Sequence, residues 1–295
     1  MATPGGSLSV RAWVVIASVF IAAGACDAAR KAPAKTVAKT EPPMRVYVVR
    51  SAKDGCEPNC PEWIAAQGRI DENTFARFKK VLDELGKRNL PVLINSGGGR
   101  AEEALSIGRL LRRKGLDVAV TKTVFTTCEP GTSACRKQAG NKPLRGLPDS
   151  ERAMCASSCA FILAAGTRRF VGVEAYVGVH RGEMIRWKVL HTYKVTPYRA
   201  RDGSVKYKRQ LIREKIVSER RTAPSKNIYD RYEKYFVEMG VGKAIMPLLL
   251  ATPNSSIHWL TREELRATRI AAHRMDGGQL VLGAAEPEDG WAAPQ

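Results

Sequence analysis

The chain has 295 residues, 44% of them apolar and 26% charged, an ordinary globular balance that allows a sizeable core. Its formal net charge of +19 directs attention to anionic partners: lipid headgroups, acidic substrates or nucleic acid.

At the N-terminus, Arg11 precedes the apolar run Trp13 to Ile21, and the small residues Ala22 to Ala25 then lead into Cys26. This is the pattern of an export signal over residues 1–25, too short and one-sided for a spanning helix. Two outcomes stay open: cleavage after Ala25, or a lipobox in which Cys26 is the acylated first residue. Either one places the mature chain in the periplasm or cell envelope. Residues 26–44, rich in Ala, Lys, Thr and Pro, read as a flexible tether before a domain over 45–283.

Export changes the meaning of the cysteines. Cys26 belongs to the signal, leaving Cys56, Cys60, Cys128, Cys135, Cys155 and Cys159, an even set that favours disulfides in an oxidising compartment. Zinc fits less well, because the spacings are not CxxC and no His stands at ligand spacing. No metal and no cofactor are expected, and connectivity stays open.

Residues 45–50 and 63–70 read as strands, and residues 74–87 set Phe75, Phe78, Val81, Leu82 and Leu85 at helical spacing. Pro91 to Asn95 reads as a buried strand ending in Ser96-Gly97-Gly98-Gly99. Ala101, Ala104, Leu105, Gly108 and Leu111 then mark a second helix, and residues 117–120 a further strand. Strand, helix, strand, helix, strand implies parallel pairing by crossovers. Residues 124–151 read as a loop with Cys128 and Cys135, and residues 156–165 as a buried helix beginning near Ser157. Strands over 169–173 and 175–179 follow, the second delivering His180. Residues 187–226 form a basic insert, read as a solvated charged face or loop, with a membrane surface as a further partner. Nucleic acid is not expected of an exported chain without a binding motif. Helices over 228–239 and 243–250, a capping-box start at Thr261, and a loose tail over 284–295 complete the chain.

Three features carry chemistry. A Ser157 hydroxyl at a helix start lies where backbone N–H groups and the helix dipole favour negative charge, and the Ser158 N–H could hold an oxyanion; Ser is equally a preferred N-cap. The glycines after Asn95 let a ligand approach the backbone closely, though the segment lacks the Lys and Ser/Thr of a P-loop. His180 at a strand end supplies a base.

The ordered segments "LINSGGGRAEEALSIGRLL", "CASSCAFILAAGTRRF" and "YVGVHR" resemble the signature segments of the Clp protease proteolytic subunit superfamily. The Cys-Pro-Glu-Trp segment from Cys60 and "WLTREEL" extend the similarity, which is greatest to exported, cysteine-containing Clp-like proteins of bacteria. The resemblance implies an α/β fold, a Clp protease/crotonase-like ββα superhelix with a mainly parallel sheet and flanking helices. It also implies Ser157 as nucleophile, His180 as base, and Gly98 and Ser158 as oxyanion donors.

Two departures stand out. Gly97 replaces a Pro, and the segment where an acidic third member falls offers Asn254, Ser255 and Ser256 but no carboxylate. Asn254 could orient the imidazole without neutralising its cation; Asp202, Asp230 or a Ser-Lys dyad are the other possibilities. The implied function is an ATP-independent periplasmic serine peptidase acting on peptides or unfolded polypeptide, as a homo-oligomer by family analogy. The alternatives are a non-catalytic binding protein and a crotonase-type enzyme, the latter disfavoured because acyl-CoA is cytoplasmic. Cys155 and Cys159, one helical turn apart, are awkwardly placed to bond each other, so at least one is expected to reach another pair, through the Cys128 to Cys135 loop.

Overall fold

Alternation of buried strands with amphipathic helices produces a mixed α/β architecture in the computed structural model, which describes residues 41–139, 143–271 and 273–274. The expected export signal, Cys26, most of the expected tether and the expected tail lie outside the described residues. The expected tether runs through residue 44, but the fold takes up the chain earlier. Met44 is fully buried, and the Arg69 N–H donates to the Pro42 carbonyl across 2.7 Å.

Strands β1 (Arg45–Ser51) and β2 (Glu62–Gln67) form an antiparallel pair. Helix α1 (Thr74–Leu85) crosses to β3 (Val92–Asn95), and helix α2 (Ala101–Lys114) crosses to β4 (Val118–Val120). Both crossovers give parallel pairs, β2 with β3 and β3 with β4, as the pattern requires. Phe78, Val81, Leu82 and Leu85 point into the core from α1, the stripe that its periodicity marks.

The segment over 124–151 is more than a loop. It holds the second half of β5 (Lys122–Phe125), helix α3 (Ser133–Ala139) and β6 (Leu144–Asp149), closing one side of the main sheet. Here β6 pairs parallel with β1 and antiparallel with β5. The short β7 (Met154–Ala156) then leads into helix α4 (Cys159–Ala164), all of whose residues are buried. Strands β8 (Arg169–Val171) and β9 (Tyr176–Val179) follow.

The basic insert is an ordered antiparallel ribbon of β10 (Met184–Arg199) and β11 (Val205–Thr222), not a loop. Helices α5 (Lys226–Glu238) and α6 (Ile245–Ala251) return the chain to the core. Strand β12 (His258–Trp259), helix α7 (Arg262–Thr268) with the expected Thr261/Glu264 capping box, and β13 (His273–Arg274) complete the described fold. The main sheet runs β13-β8-β4-β3-β2-β1-β6-β5, and a small second sheet runs β12-β9-β7.

Helix α4 is braced from behind by α5. The Phe161 ring packs on Tyr232, Tyr235 and Phe236 with centroids 4.9, 5.6 and 5.0 Å away, and the Tyr235 hydroxyl donates to the Phe161 carbonyl at 2.8 Å. Burial raises the pKa of that hydroxyl well above its ordinary range, so it stays a donor.

Candidate active site

The small sheet positions the chemistry. Strands β7 and β9 run parallel with Ala156 opposite Gly178, so Ser157 and His180 follow at the carboxyl ends of adjacent strands, which are spaced about 4.8 Å apart. The Ser157 N–H donates to the Gly178 carbonyl at 2.8 Å, fixing where the chain leaves the strand.

Ser157 then turns with φ +57°, a left-handed conformation in which few non-glycine residues are found. It stands between strand and helix, as the nucleophile of a strand–turn–helix elbow does, where a sharp turn lifts the hydroxyl off the sheet end. The helix begins at Cys159, two residues later than the periodicity suggests. Ser157 therefore does not cap it, and neither does Ser158, which occupies the N-cap position without a capping hydrogen bond from its side chain. The Ser158 hydroxyl is buried and finds no hydrogen-bond partner among the described residues.

This reversal corrects the expectation for the cysteines. Cys155 lies on a strand rather than on the helix, and the turn at Ser157 brings it to Cys159 with Cα atoms 5.2 Å apart; the two are bonded to each other. Cys56 is bonded to Cys60 and Cys128 to Cys135. Each bridge is local, and one of them brackets the two serines.

The glycine turn after β3 lies against the elbow. The Ser96 N–H donates to the Met154 carbonyl and the Ala156 N–H to the Ser96 carbonyl, at 2.8 and 3.0 Å, while Asn95 Oδ1 accepts from the Met154 N–H at 2.9 Å. Gly98 has φ +102°, and a Cβ there would stand 2.6 Å from the Ala156 carbonyl oxygen, 2.7 Å from Ser157 Cβ and 3.2 Å from the Ser158 nitrogen. Only glycine allows this approach. Its N–H donates to the buried Ser96 Oγ at 3.1 Å, so the expected oxyanion donor is engaged within its own turn. Gly97 is also defined by its N–H, which donates to Glu41 Oε2 at 2.9 Å; a Pro could not make that bond. Burial raises the Glu41 carboxyl to about 7, against the opposing pull of the Gly97 N–H and of Arg69.

Ser157, Ser158, His180, Gly97 and Gly99 all open onto one cleft of about 720 Å³. Its outer wall is built by Met184, Ile185 and Trp187 at the root of the ribbon and by Ile228, Tyr232 and Phe236. Asn254 is not part of that wall. Its Nδ2 donates to Glu183 Oε1 at 2.6 Å, and its segment contributes Ile257 to the cleft instead. Glu183, three residues after His180, is a carboxylate of the cleft that the sequence argument passed over, and Arg221 pairs with its other oxygen at 2.7 Å. Its closeness to His180 in the sequence was the available signal. Ser96 and Glu41, which set the glycine turn, gave no signal because their roles depend on folding. Among the described residues no group of His, Cys, Asp or Glu is arranged to hold a metal ion.

No protein-family model matches the chain, and no curated protein matches it. Among solved structures it is similar to a mutant of the 1510-N membrane-bound stomatin-specific protease, at 14% identity and a TM-score of 0.41, over 72% of this chain and 79% of that one. A second mutant of that protease, in complex with a substrate peptide, gives 14% identity and a TM-score of 0.40 over 72% and 75%. ClpP1 from Listeria monocytogenes gives 12% identity and a TM-score of 0.38 over 71% and 88%. What these three share with the chain is a likeness of fold at low identity.

Proposed function

We propose that the chain is a serine peptidase of the periplasm that cleaves peptides or unfolded polypeptide through an acyl-enzyme, without ATP, and works as a homo-oligomer. The observation that carries this reading is the left-handed Ser157 at a strand–turn–helix elbow, opening onto the same cleft as His180. His180 takes the Ser157 Oγ proton as Oγ attacks the scissile carbonyl carbon. The N–H groups of Ser158 and Gly98 hold the oxyanion, the Gly98 donor leaving Ser96 Oγ to do so. The C–N bond then breaks as His180 returns the proton to the amine. Water, deprotonated by His180, releases the acyl group and restores Ser157. Three local disulfides support an oxidising compartment.

A second reading, a Clp-like binding protein without catalysis, is favoured by one observation: the Asn254 amide is engaged by Glu183. Turnover of a disordered polypeptide in the absence of ATP separates the two. The peptidase reading requires cleavage by the wild type and none by Ser157→Ala; no turnover by either supports the binding protein, and equal turnover by both removes Ser157 as the nucleophile.

A further inference from the structure

The β10–β11 ribbon is amphipathic by face, a property its composition hides. Residues opposite each other on paired antiparallel strands share a face, and successive residues alternate. Three contacts fix the assignment: the His191 ring stacks on Tyr193, His191 Nδ1 meets Glu214 Oε1 at 3.0 Å, and Trp187 Nε1 donates to Glu219 Oε2 at 3.0 Å. One face therefore carries Ile185, Trp187, Val189, Tyr193 and Val195 from β10; Ile216 and Leu211 stand opposite Val189 and Tyr193, and Arg221, Glu219 and Arg209 opposite Ile185, Trp187 and Val195. The two carboxylates of the ribbon strands, Glu214 and Glu219, lie on this face with three cations, Arg199, Arg209 and Arg221.

The other face is basic. From β10 it presents Arg186, Lys188 and Lys194, interspersed with Met184, Leu190, Thr192, Thr196 and Tyr198. From β11 it presents Lys206, Lys208, Arg213, Lys215 and Arg220. None of its paired positions is a carboxylate, and among the described residues only Lys206 of these cations has an ion pair, with Asp202 of the connecting turn at 3.9 Å. The ribbon is exposed over nearly its whole length, which at about 3.3 Å per residue is roughly 50 Å for β10. A two-stranded ribbon of this kind gains little from its own pairing in water.

We infer that this face docks the protein on an anionic phospholipid surface. Charge complementarity selects a polyanion, and the three disulfides select a compartment in which that polyanion is a membrane rather than nucleic acid. Of the ribbon residues that line the cleft, Ile185 and Trp187 belong to the face opposite the basic one and only Met184, at the root, to the basic face, so docking by the basic face leaves most of the cleft's ribbon wall on the side away from the lipid. The inference shares the export reading with the proposed function but does not involve Ser157. Vesicle binding and labelling of the serine therefore fail independently.

The test is binding of the full chain to phosphatidylcholine vesicles with and without about one-third phosphatidylglycerol, at about 0.15 M salt. Phosphatidylglycerol is expected to strengthen binding, and Lys188→Gln, Lys194→Gln, Lys206→Gln and Lys208→Gln together to remove roughly tenfold or more of that gain. Lys79→Gln, Lys80→Gln, Lys87→Gln and Lys114→Gln, the same charge change on α1, α2 and the loop between them, should leave it in place. The N-terminal segment is common to all variants, so differences among them report the ribbon. An unchanged gain in the ribbon variant overturns the inference. So does single-stranded DNA that outcompetes the vesicles at equal phosphate concentration. Loss of self-association in the ribbon variant with unchanged vesicle binding overturns it as well, making the face a contact between copies.

Discussion

Gly98 and Ser157 are in contact across the strand–turn–helix elbow: a Cβ at residue 98 would stand 2.7 Å from Ser157 Cβ. Gly98→Ala must therefore displace Ser157 or the turn, and it also places a side chain at φ +102°. The expected cost is about 2 kcal/mol of stability. Labelling of Ser157 by a serine-directed probe should fall at least roughly a hundredfold. Thermal unfolding and the labelling rate measure the two effects separately, and a variant with wild-type labelling would remove the glycine turn from the mechanism.

The Cys155–Cys159 bridge ties the end of β7 to the start of α4 around both serines. Closing so short a loop is worth about 2 kcal/mol in the chain-entropy account. Cys155→Ser with Cys159→Ser should lower stability by about that amount and slow labelling further than the loss of stability alone explains. The comparison is made well below the unfolding temperature.

Asn254 donates to Glu183 rather than standing on the cleft beside His180. Asn254→Ala should therefore change the labelling rate by only a few-fold. His180→Ala, which removes the proposed base, should reduce it by roughly a hundredfold or more. Equal losses from both substitutions would restore Asn254 as the third member of a triad.

Glu41 gives the stability a definite pH dependence. Its carboxyl is raised from an ordinary 4.5 to about 7 in the folded chain, chiefly by burial, so the folded state holds a proton that the unfolded state releases. The contribution is complete below about pH 4.5 and is lost as pH rises to about 7. Allowing for partial exposure of the carboxyl, the loss is about 2 kcal/mol. Glu41→Gln should flatten stability over this window in denaturant titrations, and an unchanged slope would contradict the assignment.

The parallel half of the fold was legible because burial imposes patterns that survive in the sequence. The helical stripe of Phe78, Val81, Leu82 and Leu85, and the apolar run Val92 to Ile94, appear at the positions their spacing marks. Residues 124–151 were not, since β5 is the edge strand and β6 its neighbour, with little buried apolar surface: Val124 and Leu147 are exposed. The elbow at Ser157 was hidden for another reason. A single positive φ leaves no periodic trace, so Ala156 to Ala165 reads as one continuous helix and the cysteines as one turn apart. In the ribbon, two bulges, at Val217 and Ile212, shift the register and obscure the alternation of faces.

The central claim is that Ser157 is a nucleophile activated by His180. A fluorophosphonate probe followed by peptide mass spectrometry tests it most directly. The account predicts phosphonylation at Ser157 in the wild type, none in Ser157→Ala and a severely reduced rate in His180→Ala. An unlabelled wild type, or a Ser157→Ala variant labelled as well as the wild type, would contradict it.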